Sequence, residues 1–242
     1  MRQSAKDKLI IALDVDTADR ALELFETLRV FAGMFKIGPQ LFTAAGPNIV
    51  RQIIARGGRV FLDLKFHDIP NTVAAAGTEA TRLGVSIFNV HASGGIEMMK
   101  WTTETVAEVA SREGLTKPSI IAVTVLTSLD REALNKAGVD KDPELMVKML
   151  ARTAYKSGLD GVVASPHEIE IVRKEIDSPG FIVVTPGIRP YNPKPDDQRR
   201  VMTPSEAIRA GANYVVVGRP VLNAADPVTA AKRLIEEMEA AG

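Results

Sequence analysis

The stretch "RVFLDLKFHDIPNT", residues 59–72, sets Asp63, Lys65 and Asp68 on and just beyond a segment that otherwise has the composition of a buried strand. In an extended strand, residues i and i+2 share a face. Phe61, Asp63 and Lys65 therefore point one way, and Leu62, Leu64 and Phe66 the other. Neither set is the solvated face of a half-buried sheet. Leucines against outer helices, with the opposite face turned into a packed interior, is the pattern of a strand in a parallel sheet covered by helices. The charges then sit toward the strand's C-terminal end, where removing them from water is costly unless they pair.

Seven further runs of the same kind flank this one. They are "KLIIALDV", "GMFKIG", "VSIFNVHA", "SIIAVTVLT", "DGVVAS", "FIVVTPGI" and "NYVVVGRP". Helical patterns lie between them. "TADRALELFETLRVF" spaces Ala21, Leu24, Phe25 and Leu28 along one helix face, and "PELMVKMLARTAYKSG" ends at Gly158, a C′-type glycine. Eight strand-helix units in 242 residues suit a closed α/β (β/α)8 TIM barrel better than a doubly wound open sheet. No Gly/Ser linker or low-complexity tract divides the chain, so one barrel domain is expected over residues 1–242. Connections read as short except after the seventh strand, where residues 185–204 carry five prolines and mixed charges. A loop of that length in a compact domain is read as an active-site cover, a lid at about residues 187–202.

Thirty basic and thirty acidic residues cancel, so no net field attracts nucleic acid or an anionic membrane. A small-molecule partner is expected. There is no cysteine, which removes disulfides and thiolate metal sites and fits a reducing compartment. The apolar run before Asp14 is too short for a signal-peptide core, and no later run could span a bilayer. These features together predict a soluble, cytoplasmic protein.

Parity extends the charged site to neighbouring strands. In the first, Leu9, Ile11 and Leu13 share one face and Ile10, Ala12 and Asp14 the other, while Lys36 lies near the end of the second. Asp14, Lys36, Asp63 and Lys65 thus alternate in sign along three strand ends at the C-terminal rim, where catalytic groups sit in this fold, with Asp68 a fifth charge beyond. Opposite unit charges 4 Å apart attract by about 4 kcal/mol at an effective dielectric near 20, enough to offset much of the desolvation penalty. Two readings are open: an ion-pair network that seals the barrel end, or a catalytic array. In the second, a lysine between carboxylates stays protonated and serves as a general acid rather than a nucleophile. After the eighth strand, Gly218 permits close backbone approach and Arg219 supplies charge, and Arg189 follows the seventh. This is where barrels of this kind bind phosphate. His67 and His91 are read as local hydrogen-bonding residues, and Trp101 as packing on an outer helix or against another subunit; the glycines of "HASGG" are assigned to a tight turn.

The motifs "LDVD", "FKIGPQLF", "FLDLKFHDIPNTV", "NVHASGG", "TVLTS", "TPGIRP" and "VVGRPV" occur in that order along essentially the whole chain. In this the chain resembles the orotidine 5′-monophosphate decarboxylases. D-x-K-x-x-D alone is shared with sugar-phosphate decarboxylases and hexulose-phosphate synthases, but the extended "DLKFHDIPNT" is more specific. Relatives that use Mg²⁺ carry an acidic residue where this chain has Lys36, so the resemblance implies the branch that works without metal or organic cofactor. It further implies that Lys65 protonates C6 of the pyrimidine and that Asp63 lies against the departing carboxylate. Lys36 and Asp14 would hold the array and contact the ribose. Asp68 and Thr72 would come from the second subunit of a homodimer, and Thr127 would contact the pyrimidine. Arg189, Gln198, Gly218 and Arg219 would grip the phosphate. The rival readings are a Mg²⁺-dependent sugar-phosphate decarboxylase or aldolase, and a barrel that binds a phosphorylated ligand without chemistry.

Overall fold

The computed structural model describes residues 4–189 and 202–240. Its eight strands are β1 (Leu9–Ala12), β2 (Met34–Ile37), β3 (Val60–Phe66), β4 (Ile87–His91), β5 (Ser119–Val123), β6 (Gly161–Val163), β7 (Ile182–Thr185) and β8 (Tyr214–Val217). Each pairs in parallel with the next, and β8 pairs back onto β1, so the sheet closes into a barrel. The described helices are α1 (Ala5–Lys8), α2 (Ala18–Leu28), α3 (Pro39–Ala45), α4 (Asn48–Ala55), α5 (Pro70–Arg82), α6 (Ile96–Glu113), α7 (Arg131–Lys136), α8 (Pro143–Lys156), α9 (Ile169–Glu175), α10 (Pro204–Ala210), α11 (Arg219–Leu222) and α12 (Pro227–Glu239).

Alternation along the strands divides the core in two. Ile10, Ala12, Met34, Phe61, Ile87, Ile121, Val184 and Val216 meet inside the barrel. Leu9, Ile11, Leu13, Phe35, Leu62, Phe88 and Val90 point outward into the layer shared with the helices, and Leu64 and Phe66 pack against that layer. The helices carry matching apolar stripes. On α2 the buried residues are Ala21, Leu24, Phe25 and Leu28, and the Thr17 side chain caps its N-terminus by accepting from the Arg20 amide at 3.3 Å. Helix α8 is followed by Gly158 at φ 81°, a left-handed exit that glycine adopts without Cβ strain.

Two connections are more elaborate than one helix per strand. The β2–β3 link carries both α3 and α4, and the β5–β6 link carries α7 before α8. A six-residue helix such as α7 is under two turns long, too short for a 3.6-residue apolar period to show. The lid expected at about residues 187–202 lies mostly outside the described residues. Its described ends are tied: Ile188 and Met202 form a parallel bridge, and the Arg189 amide donates to the Met202 carbonyl at 3.1 Å.

Strand β3 is irregular where its charges lie. Its register with β4 runs Phe61 to Ile87 and Leu62 to Phe88, then resumes at Phe66 to Val90, advancing four residues on β3 for two on β4. Within the slack, Lys65 sits at φ 54°, and among the described residues it is the one non-glycine with positive φ. Such a conformation costs on the order of 1–3 kcal/mol and persists only where surrounding contacts hold it.

The close approach of β6 to β7 at Gly161 gives a test of how the barrel closes. A Cβ at Gly161, the first residue of β6, would collide with the backbone carbonyl and Cβ of Ile182 on β7. Gly161→Ala is expected to destabilise the barrel by about 1–3 kcal/mol, read as a lower midpoint of urea unfolding. An unchanged midpoint would mean that β6 and β7 separate freely.

Candidate active site

At the C-terminal end of the barrel the strand ends surround a cavity of about 250 Å³. Ala12 and Asp14 reach it from β1, Lys36 from β2, and Phe61, Asp63 and Lys65 from β3. Thr127 lines it beyond β5, Arg189 beyond β7, and Gly218 and Arg219 beyond β8.

The four charges form a continuous chain. Lys36 Nζ lies 3.0 Å from Asp14 Oδ1 and 3.2 Å from Asp63 Oδ2, and Lys65 Nζ lies 2.7 Å from Asp63 Oδ1. The middle pair is shielded and the ends are open: Lys36 and Asp63 side chains are each 11% exposed, against 50% for Asp14 and 31% for Lys65. Burial by itself would raise the Asp63 pKa. The ammonium groups of Lys36 and Lys65, with hydrogen bonds from Lys65 and Asn89, outweigh it and hold this carboxyl below the usual carboxylate range. Burial likewise acts to lower Lys36, and Asp63 and Asp14 reverse it, so the Lys36 pKa is raised. Asp63 is therefore a fixed negative charge, and Lys36 a fixed positive one, over the whole neutral range. Lys65 is the member of the array that combines contact with Asp63 and an open path to the cavity.

Two residues not singled out from the sequence complete this geometry. Asn89, fully buried on β4, donates from Nδ2 to Asp63 Oδ1 at 2.7 Å and accepts the Lys65 amide on Oδ1 at 2.8 Å. A polar residue between the apolar Phe88 and Val90 is the one trace of it in the sequence, and strand parity would have placed it inside the barrel. Gly38, just past β2, leaves room for the first ion pair: a Cβ there would come 3.0 Å from Lys36 Nζ and 3.2 Å from Asp14 Oδ1.

The remaining expected residues fall in three places. Asp68 and Thr72 are exposed and do not line this cavity; Asp68 Oδ1 accepts the Ile69 amide at 2.6 Å. The charge array within the chain is thus four residues long, without Asp68. Gln198 lies outside the described residues. His67 and His91 meet ring to ring beside the array, with centroids 5.3 Å apart, and burial, His67 and Lys65 push the half-buried His91 imidazole down in pKa. Trp101 is about half exposed on α6.

Residues 7–234 match the family model described as orotidine 5′-phosphate decarboxylase / HUMPS family. A Moorella thermoacetica protein named orotidine 5′-phosphate decarboxylase is 53% identical over 240 residues, covering 99% of this chain and 95% of the relative. A Geobacter sulfurreducens protein of the same name is 51% identical over 239 residues, covering 99% of both chains. Among solved structures, orotidine 5′-phosphate decarboxylase from Lactobacillus acidophilus superposes with a TM-score of 0.83 at 34% identity, covering 95% of this chain and 98% of that one. Similarity that runs through every strand bearing the array, on the same closed barrel, places this chain in the orotidine 5′-phosphate decarboxylase / HUMPS family.

Proposed function

We propose that this protein decarboxylates orotidine 5′-monophosphate to uridine 5′-monophosphate and CO₂, a step of pyrimidine biosynthesis, with Lys65 as the proton donor and without metal or organic cofactor. The observation that carries this reading is the chain Asp14, Lys36, Asp63, Lys65, which presents an ammonium group to the cavity beside a buried carboxylate.

The chemistry follows from where charge moves. As the bond from C6 to the carboxyl group breaks, its electron pair stays on C6. The Lys65 ammonium stabilises that developing charge and then passes a proton to C6, forming the new C–H bond and leaving a neutral amine that solvent reprotonates. Preorganisation is built in because Asp63, held ionised by two lysines and Asn89, fixes the Lys65 side chain before substrate arrives. In the metal-free reading Lys36 is decisive: its ammonium stands between the two carboxylates, Asp14 and Asp63, that would otherwise be the oxygen ligands for a divalent ion. Thr127 would contact the pyrimidine, and Asp14 and Lys36 the ribose. Arg189, Gly218 and Arg219 would hold the phosphate together with Gln198, and the segment at about residues 187–202 would close over it as a lid of the single barrel domain.

The same reading makes the enzyme a cytoplasmic homodimer in which Asp68 and Thr72 enter the neighbour's cavity. Both are exposed in the single chain, and the adjacent apolar Ile69 is exposed too, at 66%. A second copy seated there would cover that apolar surface and complete each site. Among the described residues no helix is long and apolar enough to cross a membrane.

Purified protein in EDTA should consume orotidine 5′-monophosphate, followed by its ultraviolet absorbance, and Lys65→Ala should lower kcat by about 10²–10⁴-fold or more. Activity that needs an added divalent metal would instead favour the sugar-phosphate decarboxylase class. The shared site is tested by mixing two inactive variants. Lys65→Ala and Asp68→Asn homodimers should each be nearly inactive, while their heterodimer should regain activity through one intact site. No recovery, with subunit exchange verified by mass, would place Asp68 and Lys65 in one chain's site.

A further inference from the structure

Asn89 sits where β3 and β4 lose register. Between the pairs Leu62 with Phe88 and Phe66 with Val90, this single residue of β4 faces three residues of β3: Asp63, Leu64 and Lys65. Regular ladder pairing stops over that stretch. Asn89 replaces it through its side chain, accepting the Lys65 backbone N–H and donating to the Asp63 carboxylate. The two bonds fix the orientation of the amide, because only its oxygen can accept from an N–H and only its nitrogen can donate to a carboxylate.

We propose that Asn89 is a positioning residue of the decarboxylase: its carboxamide locks the bulge of β3, so that left-handed Lys65 and the carboxylate of Asp63 are held together and the lysine is aimed into the cavity. Three observations converge on this. Lys65 is in a conformation that L residues rarely hold, and where its register with β4 lapses its N–H is accepted by the Asn89 side chain. Asp63 Oδ1 receives Asn89 and the Lys65 ammonium together, each at 2.7 Å, so a change in Asn89 is felt at the proton donor itself. Asn89 is completely buried, where an amide without both partners would carry a large desolvation penalty. Few side chains of this size present a donor and an acceptor side by side: serine is too short to span both partners, and leucine offers neither.

The charged and titratable groups around Asn89 define its test. Asp63 and Lys65 face it from β3, Lys36 stands behind Asp63 on β2, and His91 follows two residues on, against His67. On the other side its register partner on β5 is Ile121, beside Ala122, both apolar. Asn89→Asp keeps the shape but brings a second carboxyl against Asp63. While protonated, the new acid can donate to Asp63 and accept from the Lys65 amide as the amide does; once ionised, it repels Asp63 and donates nothing.

The inference rests on the decarboxylase reading, so wild type is assayed beside the variants. If wild type does not turn over orotidine 5′-monophosphate, that reading has failed and not this one. With active wild type, Asn89→Ala should lose about 10²-fold in kcat with little change in KM, the signature of a misplaced donor rather than lost substrate binding. Asn89→Asp should match wild type within a few-fold at the acid end of the folded range and lose activity relative to it, up to about tenfold per pH unit, as pH rises. Both variants within twofold of wild type across the pH range would overturn the proposal, as would a loss confined to KM. If Asn89→Ala does not fold, Asn89→Asp decides alone; should that variant be unfolded by circular dichroism even where its acid is protonated, Asn89 serves packing and the proposal is wrong.

Discussion

The carboxylate of Asp63 is the point on which the site depends. It lies nine-tenths buried at the rim of the barrel, and it remains ionised because three donors converge on its two oxygens: Lys36 on one, Lys65 and Asn89 on the other. Remove the positive charges and burial would act to drive it neutral; remove the carboxylate and the two lysines would lose the charge that stands between them. The two buried charges, Lys36 and Asp63, each depend on the other. A divalent metal would satisfy acidic side chains at such a rim by binding them directly. Here Lys36 performs that balancing from within the chain.

That constraint accounts for features of the fold that are otherwise unrelated. Gly38 lacks a side chain where one would press on Lys36 and Asp14, and β3 departs from regular pairing over the same stretch that carries Asp63 and Lys65. The strained backbone at Lys65 is tolerated because Asn89 and Asp63 hold the residue from two sides. The strain is confined to Lys65, the residue proposed as the proton donor, while the described barrel core keeps its regular two-layered apolar packing.

Much of this was legible in the sequence because it depends on period. Strand alternation in "RVFLDLKF" separated Leu62 and Leu64 from Asp63 and Lys65, and applied to "LIIALD" and "MFKI" it brought Asp14 and Lys36 to the same rim. Eight repeats of apolar run and helical stripe implied closure into a barrel. What depends on departures from period was not legible. The bulge in β3 and the left-handed Lys65 have no glycine or proline to mark them, and α7 is too short to show a stripe. Asn89 was hidden for a related reason, since its importance comes from a break in pairing on the adjacent strand. Asp68 reads from the sequence as a charge beyond the strand end, and it is exposed past the end of β3 at Phe66; which subunit's cavity it serves is not encoded in strand period.

The ionisation of Asp63 in the grip of its neighbours is open to direct measurement. A carbon-13 NMR titration of the Asp63 carboxyl carbon, assigned by loss of the signal in Asp63→Asn, follows its protonation in the folded enzyme. Because its folded pKa is depressed, the stability it contributes is present above the pKa of the unfolded chain, near about 3.9, and is lost as pH falls through the folded value. The expected result is a signal that stays in its ionised position down to a pH below about 3.9, or until the barrel unfolds in acid. A folded protein in which this carboxyl titrates at or above about 3.9 would show that burial prevails over the lysines and that the grip on Asp63 does not exist.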